Sequence, residues 1–304
     1  MPTTRDQVPD FGGPWFLSPL FEQTLAERRL DAESERQVRT FAERGYLIVD
    51  DLGFPDFEAL AGEIAADVEP LHENGSYNRV REAWTVSPAV RRLATAPRIL
   101  ELLGLLYGRG PIPFQTLNFW RGSQQATHSD AYHFHSLPKH FVAGVWVAFE
   151  DVDDGNGPLH YYPGSHRLPD YDFLHDEDDL KPFVDDVISA YGLVKENAYL
   201  RRGQGLIWAA NLLHGGDPVA DQTRTRRSQV THFYFEDCSY YTPFRSDPNR
   251  GKYYFRQITD VRTGKLRPLR VDGKRVHPPV KSRAVTWNLR LRRALGRGYV
   301  RHPM

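Results

Sequence analysis

The 304-residue sequence predicts a β-sandwich or jelly-roll barrel with a helical layer on one of its sheets. Three observations carry this reading. Up to about residue 110 the apolar residues recur at helical spacing. From Pro111 onward the chain breaks into short runs rich in β-branched and aromatic residues, each bounded by Gly, Pro, Asn or Asp. A single helix-like stretch interrupts those runs.

The elements follow in order. "DAESERQVRTFAERG" (31–45) places Val38 and Phe41 on one helical face and stops at Gly45. "YLIVDDLG" (46–53) reads as a short buried strand. "PDFEALAGEIAADVEP" (55–70) starts a helix with Pro55 in its first turn and spaces Phe57, Leu60, Ile64 and Val68 along one face. "RILELLGLLYG" (98–108) is a buried helix ending at glycine. Strands are expected at 111–122, 141–152, 157–165, 204–211 and 227–237, with an acidic helical insertion at 176–192. The whole, 1–304, reads as one domain: a mainly helical N-terminal layer (1–110), a barrel core (111–237) with an insertion at about 167–200, and a C-terminal extension (238–304) rich in Pro, Gly and Arg.

Composition narrows the function classes. One cysteine, Cys238, excludes an internal disulfide and a cysteine-based metal cluster within the chain. No apolar run approaches the ~18 residues a membrane span needs, and the N-terminus lacks a basic-then-apolar pattern, so a cytoplasmic enzyme or binding protein is expected. Net charge is zero, yet residues 239–304 hold 17 Lys and Arg against 3 Asp and Glu, so the remainder is acidic by the same margin. Only 7 of the 39 basic residues are lysines and no zinc-finger or RNA-binding signature accompanies them. Docking of the tail onto the acidic body is therefore favoured over nucleic-acid binding. The oligomeric state is not legible.

"THSDAYHFHSLPKHF" (127–141) concentrates four histidines and an aspartate. Residues two apart in a strand share a side, so His128 projects with Asp130, and His133 with His135, wherever the chain is extended. A third ligand comes from "QGLIWAANLLHGGDP", where His214 follows a buried strand beside two glycines that leave room for a ligand. Two imidazoles and one carboxylate make the triad that holds non-haem Fe(II) with open positions. Strand parity in "RRSQVTHFYF" puts Arg226, Ser228, Val230, His232 and Tyr234 on one face. An arginine at the inner mouth of a barrel needs an anion, and its planar fork suits a carboxylate such as the distal one of 2-oxoglutarate.

The order His128-Ser129-Asp130, then "VWVAFEDVDDGNGPLHYYPGSH" (145–166), then His214-Gly215-Gly216 and Arg226, resembles the phytanoyl-CoA dioxygenase family from about Phe41 to Glu236. The resemblance implies a double-stranded β-helix, and Fe(II), 2-oxoglutarate and O2 as cofactor and cosubstrates. It implies His128, Asp130 and His214 as iron ligands and catalytic centre, Arg226 as the 2-oxoglutarate carboxylate partner, Trp146 as a neighbour of that cosubstrate, and Asn118 as a polar contact to it. Two departures stand out. Gly216 replaces the Ser or Thr that often follows the distal His-Gly, and the gap from His214 to Arg226 is one residue longer than usual, which keeps Arg224 and Arg227 open as substitutes. Related halogenases replace the carboxylate with a small residue, so retention of Asp130 implies a hydroxylase or desaturase that releases succinate and CO2.

Blander roles are expected elsewhere. His133, His135 and His140 either line the substrate mouth, form another metal pair, or are partly exposed loop residues. His166 braces a turn, His160 and His232 are as readily satisfied core residues as functional ones, and Trp120 and Trp208 are core aromatics. "HDEDD" (175–179) reads as a solvated face or a helix start. The alternatives to an oxygenase are a catalytically silent barrel that binds or senses a ligand, and a cupin-like metal enzyme that does not use 2-oxoglutarate. The substrate is a small molecule, with the basic tail favouring an anionic one, and specificity is expected in the N-terminal layer, the insertion and the tail.

Overall fold

A computed structural model describes residues 12–75, 79–170, 177–271, 274–276 and 300–301. Its helices are α1 (Phe21–Arg28), α2 (Ala32–Arg44), α3 (Phe57–Val68), α4 (Pro88–Ala94), α5 (Pro97–Tyr107) and α6 (Glu177–Ala190). Its principal strands are β1 (Tyr46–Val49), β2 (Arg79–Arg81), β3 (Pro111–Phe119), β4 (His135–Leu137), β5 (Val142–Ala148), β6 (Leu159–Tyr161), β7 (Glu196–Ala198), β8 (Gly205–Ala209), β9 (His214–Gly216), β10 (Ser228–Phe235) and β11 (Ser239–Tyr241).

Local chemistry sets the helix ends. Asp31 caps α2 by accepting from the Ser34 amide at 2.9 Å, and Asp56 caps α3 through the Ala59 amide at 2.9 Å. Pro55 therefore lies ahead of the cap instead of in the first turn. α1 and α4 were not anticipated; α4 starts with Ser87 capping the Val90 amide and Pro88 behind it, a signal present in the sequence.

The large sheet runs β1-β8-β5-β10-β3-β2, with Val300–Arg301 beyond β2, and every neighbouring pair is antiparallel. Alternation divides its two faces. Ala143, Val145 and Val147 of β5, Ile207 of β8 and Phe233 and Phe235 of β10 share a buried cluster with Val38, Phe41, Leu60, Ile64, Val90 and Leu102 of the helices. On the other face Leu117, Trp146, Leu206 and Val230 meet Leu159, Tyr161 and Ala198 of a second sheet, β7-β6-β9. Two antiparallel sheets packed through one inner face make the jelly-roll.

Several expected strands contract. The 157–165 segment keeps three strand residues before Gly164 turns it into a one-turn 3-10 helix, Ser165–Arg167. The expected insertion also supplies β7, an edge strand of the second sheet. The first two residues of "HDEDD" lie outside the described residues, and Glu177 opens α6. Where described, the basic extension binds the body: Arg267 Nη2 lies 2.5 Å from Glu236 Oε2, and Arg262 Nη2 lies 3.6 Å from Glu236 Oε1. Among the described residues no helix is long and apolar enough to cross a membrane.

Candidate metal centre

His128 and His214 face each other across a single antiparallel bridge in which each backbone N–H donates to the other's carbonyl, at 2.8 and 2.9 Å. Directly bridged residues project to one side, so the two rings lie 4.5 Å apart between centroids. Ser129 is extended, with φ −113° and ψ 131°, which turns Asp130 to the same side as His128. Asp130 Oδ1 is 3.7 Å from His128 Nε2, and its Oδ2 is 3.7 Å from His214 Nε2. One ligand atom from each of the three lies within 4.8 Å of the others.

The donor set is prepared for a divalent ion. His128 Nδ1 donates to the Ala126 carbonyl at 2.8 Å and His214 Nδ1 to the Leu212 carbonyl at 2.9 Å, leaving both Nε2 atoms without a proton; that of His128 accepts from Gln125 Nε2 at 3.2 Å. Burial pushes the His214 imidazole down to about 4, so it is neutral at physiological pH. Burial alone raises the Asp130 carboxyl, but the His214, His232 and His128 imidazoles hold it well below the ordinary carboxylate range. Two imidazoles, that of His214 neutral, and an ionised carboxylate suit iron(II).

Two residues read from the sequence as core aromatics or even-odds histidines belong here. The Trp208 indole Nε1 donates to Asp130 Oδ2 at 2.9 Å, and His232 Nε2 lies 3.3 Å from the same oxygen. Parity in β10 already placed His232 on the face of Arg226; nothing local in "QGLIWAAN" signalled Trp208.

Along the same inner face Arg226 is buried, 2% exposed, and its guanidinium lies 5.2 Å from the centre of the Trp146 ring. Its Nη1 donates to the Gly157 carbonyl at 2.7 Å, while its Nε and the Trp146 Nε1 are buried without a hydrogen-bond partner. Burial pushes Arg226 down to about 10. Its neighbours differ: Arg224 forms a double hydrogen bond to Asp153 near the surface, and Arg227 is spent on Glu150 and Glu69. Buried donors without an acceptor fit an anionic cosubstrate.

Other expectations are corrected. Asn118 stands opposite Gln229 and donates to its Oε1 at 3.2 Å, and Gln229 in turn reaches the Val90 carbonyl of α4. Asn118 therefore faces the helices, one residue out of phase with Leu117 and Phe119. His133 and His135 do not project together, because Asp130–Tyr132 is a 3-10 turn that ends the alternation. His133, with burial lowering it to about 4, packs between Tyr132 and Phe244 on the triad side. His135 stacks on Tyr241 and joins His140 and Asp170, each Nε2 3.7 Å from that carboxylate. Lys139 already neutralises Asp170 at 2.8 Å, and His135 Nδ1 accepts the Ser136 amide, so its Nε2 carries the proton. The two glycines after His214 leave no space for a ligand: a Cβ on Gly215 would meet the Gln125 carbonyl at 2.7 Å, and one on Gly216 would meet Ser123 Oγ at 2.5 Å. They permit close backbone packing instead. His166 reaches the Ala42 carbonyl at 3.2 Å and braces the turn after β6, and His160 is satisfied by Thr127 and Asp217.

A jelly-roll whose inner face carries two histidines, an aspartate and a buried arginine without an ion pair among the described residues defines a non-haem metal protein of the cosubstrate-binding kind. Residues 41–228 match the family model described as phytanoyl-CoA dioxygenase, and the chain belongs to that family. With the family come its cofactor and cosubstrates, Fe(II), 2-oxoglutarate and O2. Phytanoyl-CoA dioxygenase domain-containing protein 1 of Danio rerio is 30% identical over 97 residues, 30% of this chain and 33% of that protein. The ectoine dioxygenase of Sphingopyxis alaskensis is 25% identical over 215 residues, 60% of this chain and 70% of that protein. The chain thus spans a third of the first relative and more than two thirds of the second. Among solved structures, the epimerase SnoN in complex with Fe3+, alpha ketoglutarate and nogalamycin RO superposes with a TM-score of 0.60 at 22% identity, covering 80% of this chain and 97% of that one. The S. alaskensis EctD structure with bound Fe gives 0.51 at 21%, covering 68% and 77%. Both likenesses are to the fold.

Proposed function

We propose that the chain is an Fe(II)/2-oxoglutarate-dependent dioxygenase that hydroxylates an unactivated C–H bond of a small molecule. His128, Asp130 and His214 would hold the iron through two Nε2 atoms and a carboxylate oxygen. Trp208 keeps Asp130 Oδ2 hydrogen-bonded, which fixes the rotamer of the carboxylate and leaves Oδ1 toward His128. Arg226 takes the distal carboxylate of 2-oxoglutarate, with Trp146 walling the same chamber. When bound, iron with 2-oxoglutarate and O2 supplies the oxidising chemistry, releasing succinate and CO2. The apolar inner cluster around Leu117, Trp146, Leu206 and Val230 keeps water from that chamber. Retention of Asp130 supports hydroxylation over halogenation, and a sequence with one cysteine, Cys238, fits a cytoplasmic setting.

The observation that carries this reading is a three-ligand cluster together with a buried arginine that lacks a carboxylate partner among the described residues. Anaerobic loading of the protein with Fe(II) and 2-oxoglutarate should give the visible charge-transfer band of a chelated keto acid, and admission of O2 should give succinate. His128→Ala and Asp130→Ala should abolish both while circular dichroism stays unchanged. Iron binding without 2-oxoglutarate binding would favour a cupin-like enzyme instead, and both without turnover over a broad substrate panel would favour a binding protein.

A further inference from the structure

Two arginines of β2 enter the barrel beside this site. In antiparallel register Arg81 stands opposite Leu117 and Arg79 opposite Phe119. Both partners belong to the inner cluster with Trp146 and Val230. Directly opposed residues share a face, so both guanidinium groups start from the inner face, while Val80 between them is buried against the helices. Each arginine is half-buried, neither forms an ion pair among the described residues, and Arg81 Nε is buried without a hydrogen-bond partner.

A third cation approaches from the C-terminal extension. Arg256 lies 4.6 Å from the centre of the Phe134 ring and donates to the His133 carbonyl at 3.2 Å. Phe134 in turn lies 5.3 Å from His232, whose Nε2 is 3.3 Å from Asp130. Arg256 has no carboxylate partner among the described residues either. Glu82, the acid next to Arg81, is engaged by the Trp84 indole. Burial, followed by repulsion from Arg79 and Arg256, pushes Arg81 down to about 10, with Glu82 offsetting part of it.

Partly desolvated like charges without a counter-ion are held together at a cost, and an anion removes it. We propose that Arg79, Arg81 and Arg256 form the subsite for an anionic group, carboxylate or phosphate, of the substrate oxidised at the metal centre. This rests on the oxygenase reading above. Arg81 is level with Val230 and Trp146 across the sheet, and His232 lies one inward-facing residue further along β10, at Asp130. An anion held at β2 therefore leaves the rest of a small substrate over the metal. Arg226, enclosed by Trp146 and Gly157, is left for the cosubstrate.

The test uses the full chain loaded anaerobically with Fe(II) and 2-oxoglutarate, titrated calorimetrically with benzoate, phenyl phosphate and neutral benzamide. One anion should bind at least about tenfold more tightly than benzamide, and which one it is separates carboxylate from phosphate. Arg81→Gln and Arg256→Gln, each checked by thermal melting, should weaken that anion about tenfold or more, with Arg81→Lys partly restoring it. The 2-oxoglutarate charge-transfer band should stay unchanged in all three. Equal binding of anions and benzamide, or unchanged anion affinity in both glutamine variants, overturns the subsite. Loss of the band in Arg81→Gln assigns that guanidinium to the cosubstrate and overturns it too. If the unmodified protein gives no band, the oxygenase reading fails, whereas the arginine dependence of anion binding is still read on the metal-free chain.

Discussion

The Trp208 indole Nε1 donates to Asp130 Oδ2 at 2.9 Å, joining β8 to a carboxylate 78 residues earlier in the chain. The bond sets the orientation of the only acidic side chain in the triad, and the indole also touches the His214 ring, 5.1 Å away between centroids. Outer partners of this kind tune metal affinity without touching the ion.

Trp208→Phe keeps the ring and removes the donor. Iron affinity should fall about 10–100-fold, with a small change in melting temperature, as read by anaerobic Fe(II) titration alongside calorimetry. Unaltered affinity would show that His232 alone orients Asp130.

Gly144 lies directly under that indole: a Cβ there would sit 2.1 Å from Trp208 Cζ2. Gly144→Ala should destabilise the fold by about 1–3 kcal/mol through overpacking. It should also lower iron affinity by displacing the donor, so denaturation and metal titration move together, unlike in Trp208→Phe.

Three arginines compete for one role, and their surroundings separate them. Arg226→Ala should raise the 2-oxoglutarate concentration needed for half-saturation about 10–100-fold, the loss of a charge-assisted double hydrogen bond. Arg224→Ala removes an exposed pair with Asp153 and should leave cosubstrate binding unchanged. Arg227→Ala should do the same. Cosubstrate titrations of the three variants decide the matter.

The His135, His140 and Lys139 cluster gives a pH signature apart from the metal. Burial raises the Asp170 carboxyl, but His135, His140 and Lys139 outweigh it and hold it below its usual range. A depressed carboxylate stabilises the fold above its unfolded value of about 4 and loses that contribution as pH falls further. Asp170→Asn should therefore cost about 1–3 kcal/mol at neutral pH, and the gap to the unmodified protein should close below about pH 4. Urea midpoints at several pH values test this; a gap that persists in acid would assign the loss to packing.

Much of the centre was legible because it depends on local backbone geometry. Side-chain alternation through an extended Ser129 put His128 and Asp130 on one side, and parity along β10 put Arg226 and His232 on one face. The Asn-Gly-Pro and Pro-Gly-Ser-His turns carried the family resemblance. The same alternation misled where the chain stopped being extended: the 3-10 turn at Asp130–Tyr132 sends His133 and His135 to different neighbours.

By itself the sequence determined helices first and short strands after, the three ligand types and the face-sharing of residues two apart, since each follows from sterics within a few bonds. The tertiary structure decided which face of each strand is the inner one, because a shift of one residue in pairing exchanges the two faces. That register turned Asn118 out toward Gln229, brought Arg79 and Arg81 in, and set Trp208 against Asp130. It also buried Arg226 while leaving Arg224 and Arg227 to surface acids. Those outcomes belong to contacts between residues far apart in the chain, which no local spacing encodes.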